Sequence, residues 1–168
     1  MKKEGITTIS LSSGASEVSK DIFEADFNGC DLVEKDLINA YFPYSKFFKG
    51  NLRQVQLQNA VLNNSQFDYG DLSLANLENT NLCFASLVAT NLSRANLSRA
   101  NLQYANLAYA NLQGAVLSAT NLRGANLYQA NLTDAIFNRT NLYQARHVNF
   151  DRAYLDHFSI NVNGLPCL

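Results

Sequence analysis

The sequence predicts an all-β fold, a parallel β-helix in which the chain winds into stacked coils. Two observations carry this prediction. A hydrophobic residue, usually Leu or Phe, recurs every five residues from Ile22 to Leu142 without a polar exception. The residue two places before each of these centres is nearly always small. Residues 95–115, ANLSRANLQYANLAYANLQGA, show the whole unit: a small residue, Asn or Asp, the hydrophobic centre and two variable residues.

The five-residue period excludes a simple helix or a flat strand. On an α-helix, a step of five turns the side chain by about 140°, which would scatter the leucines around the helix. On a flat strand, odd steps alternate between the two sides, so half of the leucines would face water. The chain must therefore turn once per unit to keep every centre inside. Successive coils then pair at the parallel-sheet spacing of about 4.8 Å.

The tandem Ala-(Asn/Asp)-Leu-x-x pattern resembles the pentapeptide repeat family, and in particular its cyanobacterial-type members. This resemblance implies a right-handed quadrilateral parallel β-helix with four units per coil and about seven coils. Leucine-rich repeats do not fit, because their unit is about 20–29 residues long. With four units per coil, residues twenty apart share a face, which predicts one internal column of Phe27, Phe47 and Phe67. The Asn or Asp of each unit is expected to hydrogen-bond the nearby backbone.

The repeat divides the chain into three parts. His147 stands where a hydrophobic centre belongs, and the pattern resumes three residues later at Phe150. This spacing predicts a bulge or short loop there, followed by a last partial coil. The predicted parts are an N-terminal cap (1–19), a repeat β-helix (20–162) with a register break near 145–148, and a C-terminal tail (163–168).

Composition and charge exclude several classes of function. The net charge of the 168 residues is -1, which indicates neither a nucleic-acid-binding surface nor a strongly acidic tail. Residues 1–80 hold 11 acidic and 7 basic residues, and residues 81–168 hold 3 and 6, so the chain is electrically polar along its length. We expect no membrane segment. The cysteines at positions 30, 83 and 167 are far apart and odd in number, which favours a reducing, cytoplasmic location.

No set of residues predicts catalysis, a cofactor site or a metal site. His147, His157, Asp151 and Asp156 lie close together in the sequence and could be considered as metal ligands, but solvated side chains at the end of a rod explain them as well. Cys30 occupies an inward small position and Cys83 an outward one, and the spacing places no activating base beside either thiol. The chain is therefore not expected to be an enzyme.

The outward positions carry aromatic residues, and they are the candidate protein-interaction surface. Exposed aromatics are enriched in binding surfaces, although they also cover β surfaces without any binding role. Pro43 is also expected to point outward. A second outward set, predicted to lie on two faces, is formed by Arg94, Arg99, Arg123 and Arg139; it either contacts an anionic partner or keeps the rod soluble. The aromatic set is Phe23, Tyr41, Tyr44, Phe48, Tyr69, Phe84, Tyr104 and Tyr109.

Two functions follow as expectations. The first is a non-enzymatic structural or protein-interaction module that presents a rigid rod to a protein partner, without direct nucleic-acid or membrane binding. The alternative comes from the family resemblance: some pentapeptide repeat proteins mimic DNA and bind type II topoisomerases such as gyrase, which protects them from quinolones. Such mimicry requires a strongly negative surface, and here the acids concentrate between Glu17 and Asp36. The chain is expected to be a monomer or a weak end-to-end dimer.

Overall fold

The computed structural model describes residues 21–156 and Ser159. The predicted N-terminal cap (1–19) and C-terminal tail (163–168) lie outside the described residues, as do Lys20, His157 and Phe158. Two short strands, β1 (Ile136–Phe137) and β2 (Tyr154–Leu155), pair in parallel. All other pairing in the described chain consists of isolated parallel bridges, one per unit, because a turn follows each bridge within two residues.

The bridges show how the chain winds. They join residues twenty apart, from the Asp21 and Tyr41 pair to the Asn126 and Arg146 pair. Four turns separate the two residues of each bridge, so four five-residue units complete one coil. We name the positions of a unit in order: small, bridge, centre, first turn and second turn.

Regular units such as 95–99 satisfy all five of their backbone N–H groups. The small residue donates to the preceding centre, the bridge residue to the coil below, and the centre and second turn residue to the coil above. The first turn residue donates to the side-chain oxygen of the Asn or Asp at the bridge position. The expected bond from Asn or Asp to the nearby backbone is thus confirmed. In unit 95–99, Ala95 N donates to Leu92 O at 3.1 Å and Asn96 N donates to Ala75 O at 2.9 Å. Leu97 N donates to Val116 O and Arg99 N to Ser118 O, both at 2.8 Å. Ser98 N donates to Asn96 Oδ1 at 3.1 Å.

The second turn residue has a positive φ in every complete unit. Values lie between 53° and 68°, in the left-handed region. Glycine occupies this position only at Gly29, Gly114 and Gly124 in the described residues, and elsewhere a side chain adopts the left-handed conformation. Each such residue costs about 1–2 kcal/mol of backbone strain. The repeated bonds between coils must therefore offset a repeated local cost.

The core is one continuous column of centres and small residues. The centres from Phe27 to Leu142 are at most 3% exposed. The predicted internal stack is confirmed: the rings of Phe27 and Phe47 are 4.9 Å apart, and those of Phe47 and Phe67 are 4.6 Å apart and nearly parallel. Val55, an exception at the small position, is fully buried, whereas Lys35 in the first described coil is exposed.

The last coil is two residues short. Phe137 pairs with Leu155, eighteen residues later, whereas the preceding bridges span twenty. The turn bond from Ala153 N to Phe150 O marks Phe150 as the centre of the next unit. The unit that begins at Ala145 therefore ends at His147, which is exposed with a φ of 59°. The predicted bulge is instead a deletion: this unit lacks its hydrophobic centre.

The coil has four faces, which we number by their centres. The two turn positions after each centre form the corner that leads to the next face. Face 1 runs from Ile22 to Leu142, face 2 from Phe27 to Leu127, face 3 from Leu32 to Leu132 and face 4 from Leu37 to Phe137, each in steps of twenty residues.

Candidate interaction surface

The eight aromatic residues predicted from the sequence all lie on two neighbouring faces. Tyr41 occupies a bridge position on face 1, and the other seven occupy the two corners that border face 2. Every one of the eight is exposed, from Phe48 at 39% to Tyr69 at 59%. Because corners project from a rectangular coil, these rings are the part of this side that a partner would meet first. We call face 2 with its two corners the aromatic-bordered face.

At the corner between faces 1 and 2, rings contact one another along the rod. Phe23 and Tyr44, in adjacent coils, have ring centroids 5.3 Å apart. Phe84 and Tyr104 stack at 5.1 Å with an angle of 12° between their planes. The Tyr104 ring lies over Gly124, where an added Cβ would come within 2.6 Å of it. These contacts hold the rings in place on the surface before any partner arrives.

The corner between faces 2 and 3 carries a second row of rings. Phe48 and Tyr69 meet edge to face at 5.7 Å. Tyr109 and Tyr128 do the same at 5.5 Å, and His147 packs against Tyr128 at 5.4 Å. The Lys49 ammonium lies 5.2 Å from the centre of the Phe48 ring. Face 2 is therefore bordered along both edges by paired aromatic rings.

The floor between the two rows is polar. It consists of the bridge-position side chains of face 2. Near the N-terminal end, Glu24, Asp26, Tyr44 and Lys46 line an open hollow of about 240 Å³. Further along the rod the floor is uncharged until the last coil. In order, the floor is Asp26, Lys46, Gln66, Ser86, Asn106, Asn126 and Arg146.

The structure differs from one of the expectations about the surface. Pro43, expected to point outward, is buried, and the rings of Phe23 one coil below and Tyr44 next in the chain contact each other. The four arginines lie at three corners that border two neighbouring faces, 4 and 1. Arg94 follows a face 3 centre, Arg99 and Arg139 follow face 4 centres, and Arg123 follows a face 1 centre.

The sequence analysis missed two exposed aromatics at the same corners. Tyr128 (41%) and Tyr143 (37%) are the first turn residues of their units, and the Arg123 guanidinium lies 5.4 Å from the Tyr143 ring centre. Extending the search in steps of twenty from each corner to the last coil would have found both. A third exposed ring, Tyr154, is the bridge residue of the last described unit on face 4.

Faces 3 and 4 have a different surface. Exposed large hydrophobic residues there are limited, within the described chain, to Leu74, Ile136 and Tyr154. An open hollow of about 640 Å³ at the corner between faces 4 and 1 is lined by charged and small side chains, among them Arg99, Ser118 and Arg139. Arg99 pairs with Glu78 at 3.6 Å between exposed side chains. Such pairs contribute little to stability because solvent screens them.

The described residues include potential metal ligands and free thiols. Between Asp21 and Asp156, no three His, Cys, Asp or Glu side chains come together to hold a metal ion. Burial raises the pKa of the Cys30 thiol to about 12, the backbone hydrogen bond at Cys30 lowers it, and the Asp31 charge raises it further. Burial also raises the pKa of Cys83. Both thiols are therefore poor nucleophiles.

Comparison with known proteins agrees with this geometry. The Pentapeptide repeats family matches residues 46–79, 75–108 and 110–146, with eight copies of the repeat. These segments cover more than half of the sequence. The chain belongs to the pentapeptide repeat family. Members of this family form right-handed β-helices and are generally structural or interaction modules, not enzymes.

Solved structures of two other pentapeptide repeat proteins resemble this one in fold. Full-length QnrB1, a plasmid-mediated fluoroquinolone resistance protein, superposes with a TM-score of 0.56 at 20% identity, covering 86% of this chain and 80% of QnrB1. Rfr23 from the cyanobacterium Cyanothece 51142 superposes with a TM-score of 0.52 at 22% identity, covering 82% and 92%. No curated protein sequence matches the chain. Across the part of the chain that the structure describes, no helix is long and apolar enough to cross a membrane.

Proposed function

We propose that this pentapeptide repeat protein is a non-enzymatic interaction module that binds a protein partner through the aromatic-bordered face. The observation that carries the proposal is the segregation of the exposed rings. Seven of the eight predicted aromatics, with Tyr128 and Tyr143, occupy the two corners of face 2. Aromatic residues that only covered a β surface would be distributed over all four faces, since the backbone of each face is the same.

The chemistry of this face suits protein recognition. Tyrosine supplies an apolar ring and a hydroxyl that hydrogen-bonds at the rim of an interface, and aromatic side chains are enriched among residues that dominate binding energy. The ring contacts within each corner, such as that of Phe84 with Tyr104, limit the rotamer freedom that binding would otherwise remove. A rigid, pre-arranged surface of this kind gains affinity without a conformational change.

The experiment is affinity capture from native lysate, with and without nuclease, comparing wild type with a Tyr44→Ser, Phe48→Ser variant. We expect a protein captured by wild type to be lost in the variant, and capture to be insensitive to nuclease. The matched control is Leu74→Ser, Tyr154→Ser, which removes two exposed hydrophobic side chains from faces 3 and 4. Equal capture by all three proteins, each shown to be folded by circular dichroism, would exclude the aromatic-bordered face.

The remaining parts of the proposal concern location and size. We propose a cytoplasmic protein, since Cys30 and Cys83 are both free and only partly buried, and free thiols are typical of a reducing compartment. We also propose about seven coils over residues 20–162, supported by the regular twenty-residue bridges. No cofactor, nucleic acid or membrane enters the proposed activity. Fractionation of cells expressing the full chain tests the location.

A second candidate is binding of a type II topoisomerase such as gyrase, and the observation that favours it is the similarity in fold to QnrB1. Charge opposes it. In the second half of the described chain, from Asn81 to Asp156, the surface carries six arginines and three aspartates, opposite in sign to the phosphates of DNA. A supercoiling assay decides: inhibition of gyrase, or its protection from a quinolone, by excess protein would support this candidate. Unchanged gyrase activity in both assays would discard it.

A further inference from the structure

We infer that the aromatic-bordered face binds a second copy of this chain, with the two rods side by side and antiparallel. The inference rests on the proposed function and names the partner. Two observations lead to it. The exposed rings select the face, because it is the largest concentration of exposed apolar side chains among the described residues. The order of charges along that face selects the orientation.

The charges of this face change sign from one end to the other. Glu24 and Asp26 lie in the first described coil, and Arg123 and Arg146 lie in the last two. Asp26 and Arg146 hold the same bridge position six coils apart, a distance of about 29 Å at about 4.8 Å per coil. After the first described coil, the face carries Lys46 and Lys49 in the second coil, Asp68 in the third, and no charge in the two coils that precede Arg123.

In an antiparallel dimer, a two-fold axis crosses the middle of the face, and the order of charges along the face then becomes complementary. An isologous interface brings each end of one copy against the opposite end of the other. With the first described coil of one copy opposite the sixth coil of the other, the carboxylates Glu24 and Asp26 face the Arg123 guanidinium group, and Arg146 lies one coil, about 4.8 Å, further along. A parallel arrangement would instead oppose like charges at both ends, which costs affinity.

The lysines of the second coil fit the same arrangement. With Glu24 and Asp26 opposite Arg123, the neighbouring coil places Lys46 and Lys49 opposite Tyr104 and Tyr109. Ammonium groups bind favourably to the faces of aromatic rings, and Lys49 already lies over Phe48 within the chain. The middle of the face, with Gln66 and Ser86 on its uncharged floor and Asp68 at one corner, pairs with itself around the axis.

The size of the face predicts a weak dimer. A width of about 16 Å for five residues and a length of about 29 Å give a little under 500 Å² per chain. The total of about 900–1,000 Å² lies at the lower limit for specific interfaces. We therefore expect an equilibrium that depends on protein and salt concentration, because part of the attraction is between exposed charges.

Sedimentation equilibrium of the purified full chain is the first measurement. The mean mass should rise from 18.6 kDa towards twice that value with concentration, and fall when salt is added. Glu24→Lys, Asp26→Lys should stay monomeric, and so should Arg123→Glu, Arg146→Glu. Lysine already occupies equivalent positions at Lys46 and Lys49, so the first variant fits the coil. An equimolar mixture of the two variants should recover the doubled mass.

Two controls make the result specific. Asp31→Lys, Glu34→Lys changes the net charge by the same amount at the same unit positions on face 3, and it should dimerise like wild type. X-ray scattering distinguishes the arrangement: a side-by-side dimer keeps the maximum dimension near one rod length, whereas an end-to-end dimer doubles it. A doubled length would overturn the proposed geometry.

Failure of this inference is distinguishable from failure of the proposed function. If wild type stays at 18.6 kDa at its highest soluble concentration, the second copy is excluded as the partner. The same holds if the mixed charge variants remain monomeric while wild type dimerises. Loss of a captured protein on Tyr44→Ser, Phe48→Ser would still support the aromatic-bordered face, with a different chain as its occupant.

Discussion

Aromatic rings stack on both sides of the coil wall, and the two stacks differ in surroundings, not in geometry. Inside, Phe47 and Phe67 lie 4.6 Å apart with an interplanar angle of 3° and are fully buried. Outside, Phe84 and Tyr104 lie 5.1 Å apart at 12° and are about half exposed. In both pairs the residues are twenty apart, so the coil repeat sets the distance between rings.

This comparison separates what stacking shows from what exposure shows. A ring ladder follows from the coil spacing wherever aromatic residues share a column, so stacking alone does not mark a site. The buried stack fills the interior, whereas the exposed pairs leave apolar surface in water. Five predictions test whether residues inside and outside the coil differ in this way.

The largest difference is expected between the inward and outward thiols. A pKa of about 12 in place of 9.0 lowers the thiolate fraction of Cys30 near neutral pH about 1,000-fold. In a Cys167→Ser background at about pH 8, iodoacetamide should label Cys83 well before Cys30, and both equally in urea. Mass spectrometry of tryptic peptides measures this. Equal labelling rates in the folded protein would contradict the burial of Cys30.

The same shift predicts a pH dependence of stability. The folded pKa of Cys30 lies above its ordinary value of 9.0, so the unfolded state loses its proton first. The contribution of the protonated Cys30 thiol to the free energy of unfolding is complete below about pH 9, and it is lost as the pH rises towards about 12. Between these values the urea midpoint should fall more steeply for wild type than for Cys30→Ala, which controls for ionising tyrosines.

Removing a ring from the inner stack should cost the most stability. Phe47→Ala leaves a cavity between Phe27 and Phe67, and we expect it to lower the free energy of unfolding by about 3–5 kcal/mol. Urea denaturation followed by circular dichroism measures the change. A loss below about 1 kcal/mol would show that the interior collapses to fill the space.

Gly124 tests the contact between the outer rings and the wall. Gly124→Ala should cost about 1–3 kcal/mol, because its φ is +68° and the new Cβ would lie 2.6 Å from the Tyr104 ring. Gly114→Ala is the matched control: its φ is +66°, but the nearest atom is Arg94 Cγ at 3.5 Å. Gly124→Ala should therefore lose more stability than Gly114→Ala, and combining Gly124→Ala with Tyr104→Ala should remove this difference. A difference that persisted in the double variant would mean that the loss comes from the backbone and not from the Tyr104 ring.

The smallest effect is expected for a ring of the outer pair. Phe84→Ala removes one aromatic contact and little buried area, so we expect a loss of about 0.5–1.5 kcal/mol. The thermal unfolding midpoint measures it beside Phe47→Ala. Similar losses for the two variants would mean that the outer rings stabilise the fold as much as the inner ones, and would weaken their assignment to binding.

The interior was predictable because one rule determines it. The five-residue period places each centre inside, and the twenty-residue coil then stacks Phe27, Phe47 and Phe67 without further information. The hydrogen bond from the first turn N–H to Asn or Asp follows from the same rule, since both residues recur at fixed positions. Local bonding and packing agree in every regular unit.

The deviations were not predictable from the period. A missing centre at His147 is compatible with an insertion or a deletion, and only the pairing of Phe137 with Leu155 distinguishes them. Pro43 is buried at a turn position, and the five-residue spacing does not specify the burial of individual turn residues. The five-residue period places the rings on the surface but does not determine what they bind, so the candidate surface follows from the period and its occupant does not.

The twenty-residue register gives the rod a fixed rise of about 4.8 Å per coil. Any twenty consecutive codons between positions 41 and 140 form an exchangeable module, because the backbone donors and acceptors above and below it are the same. Duplication or excision of one module would lengthen or shorten the rod by the rise of one coil and would keep every later side chain on its face. A gene of this kind would change the reach of its product stepwise while leaving its chemistry unaltered.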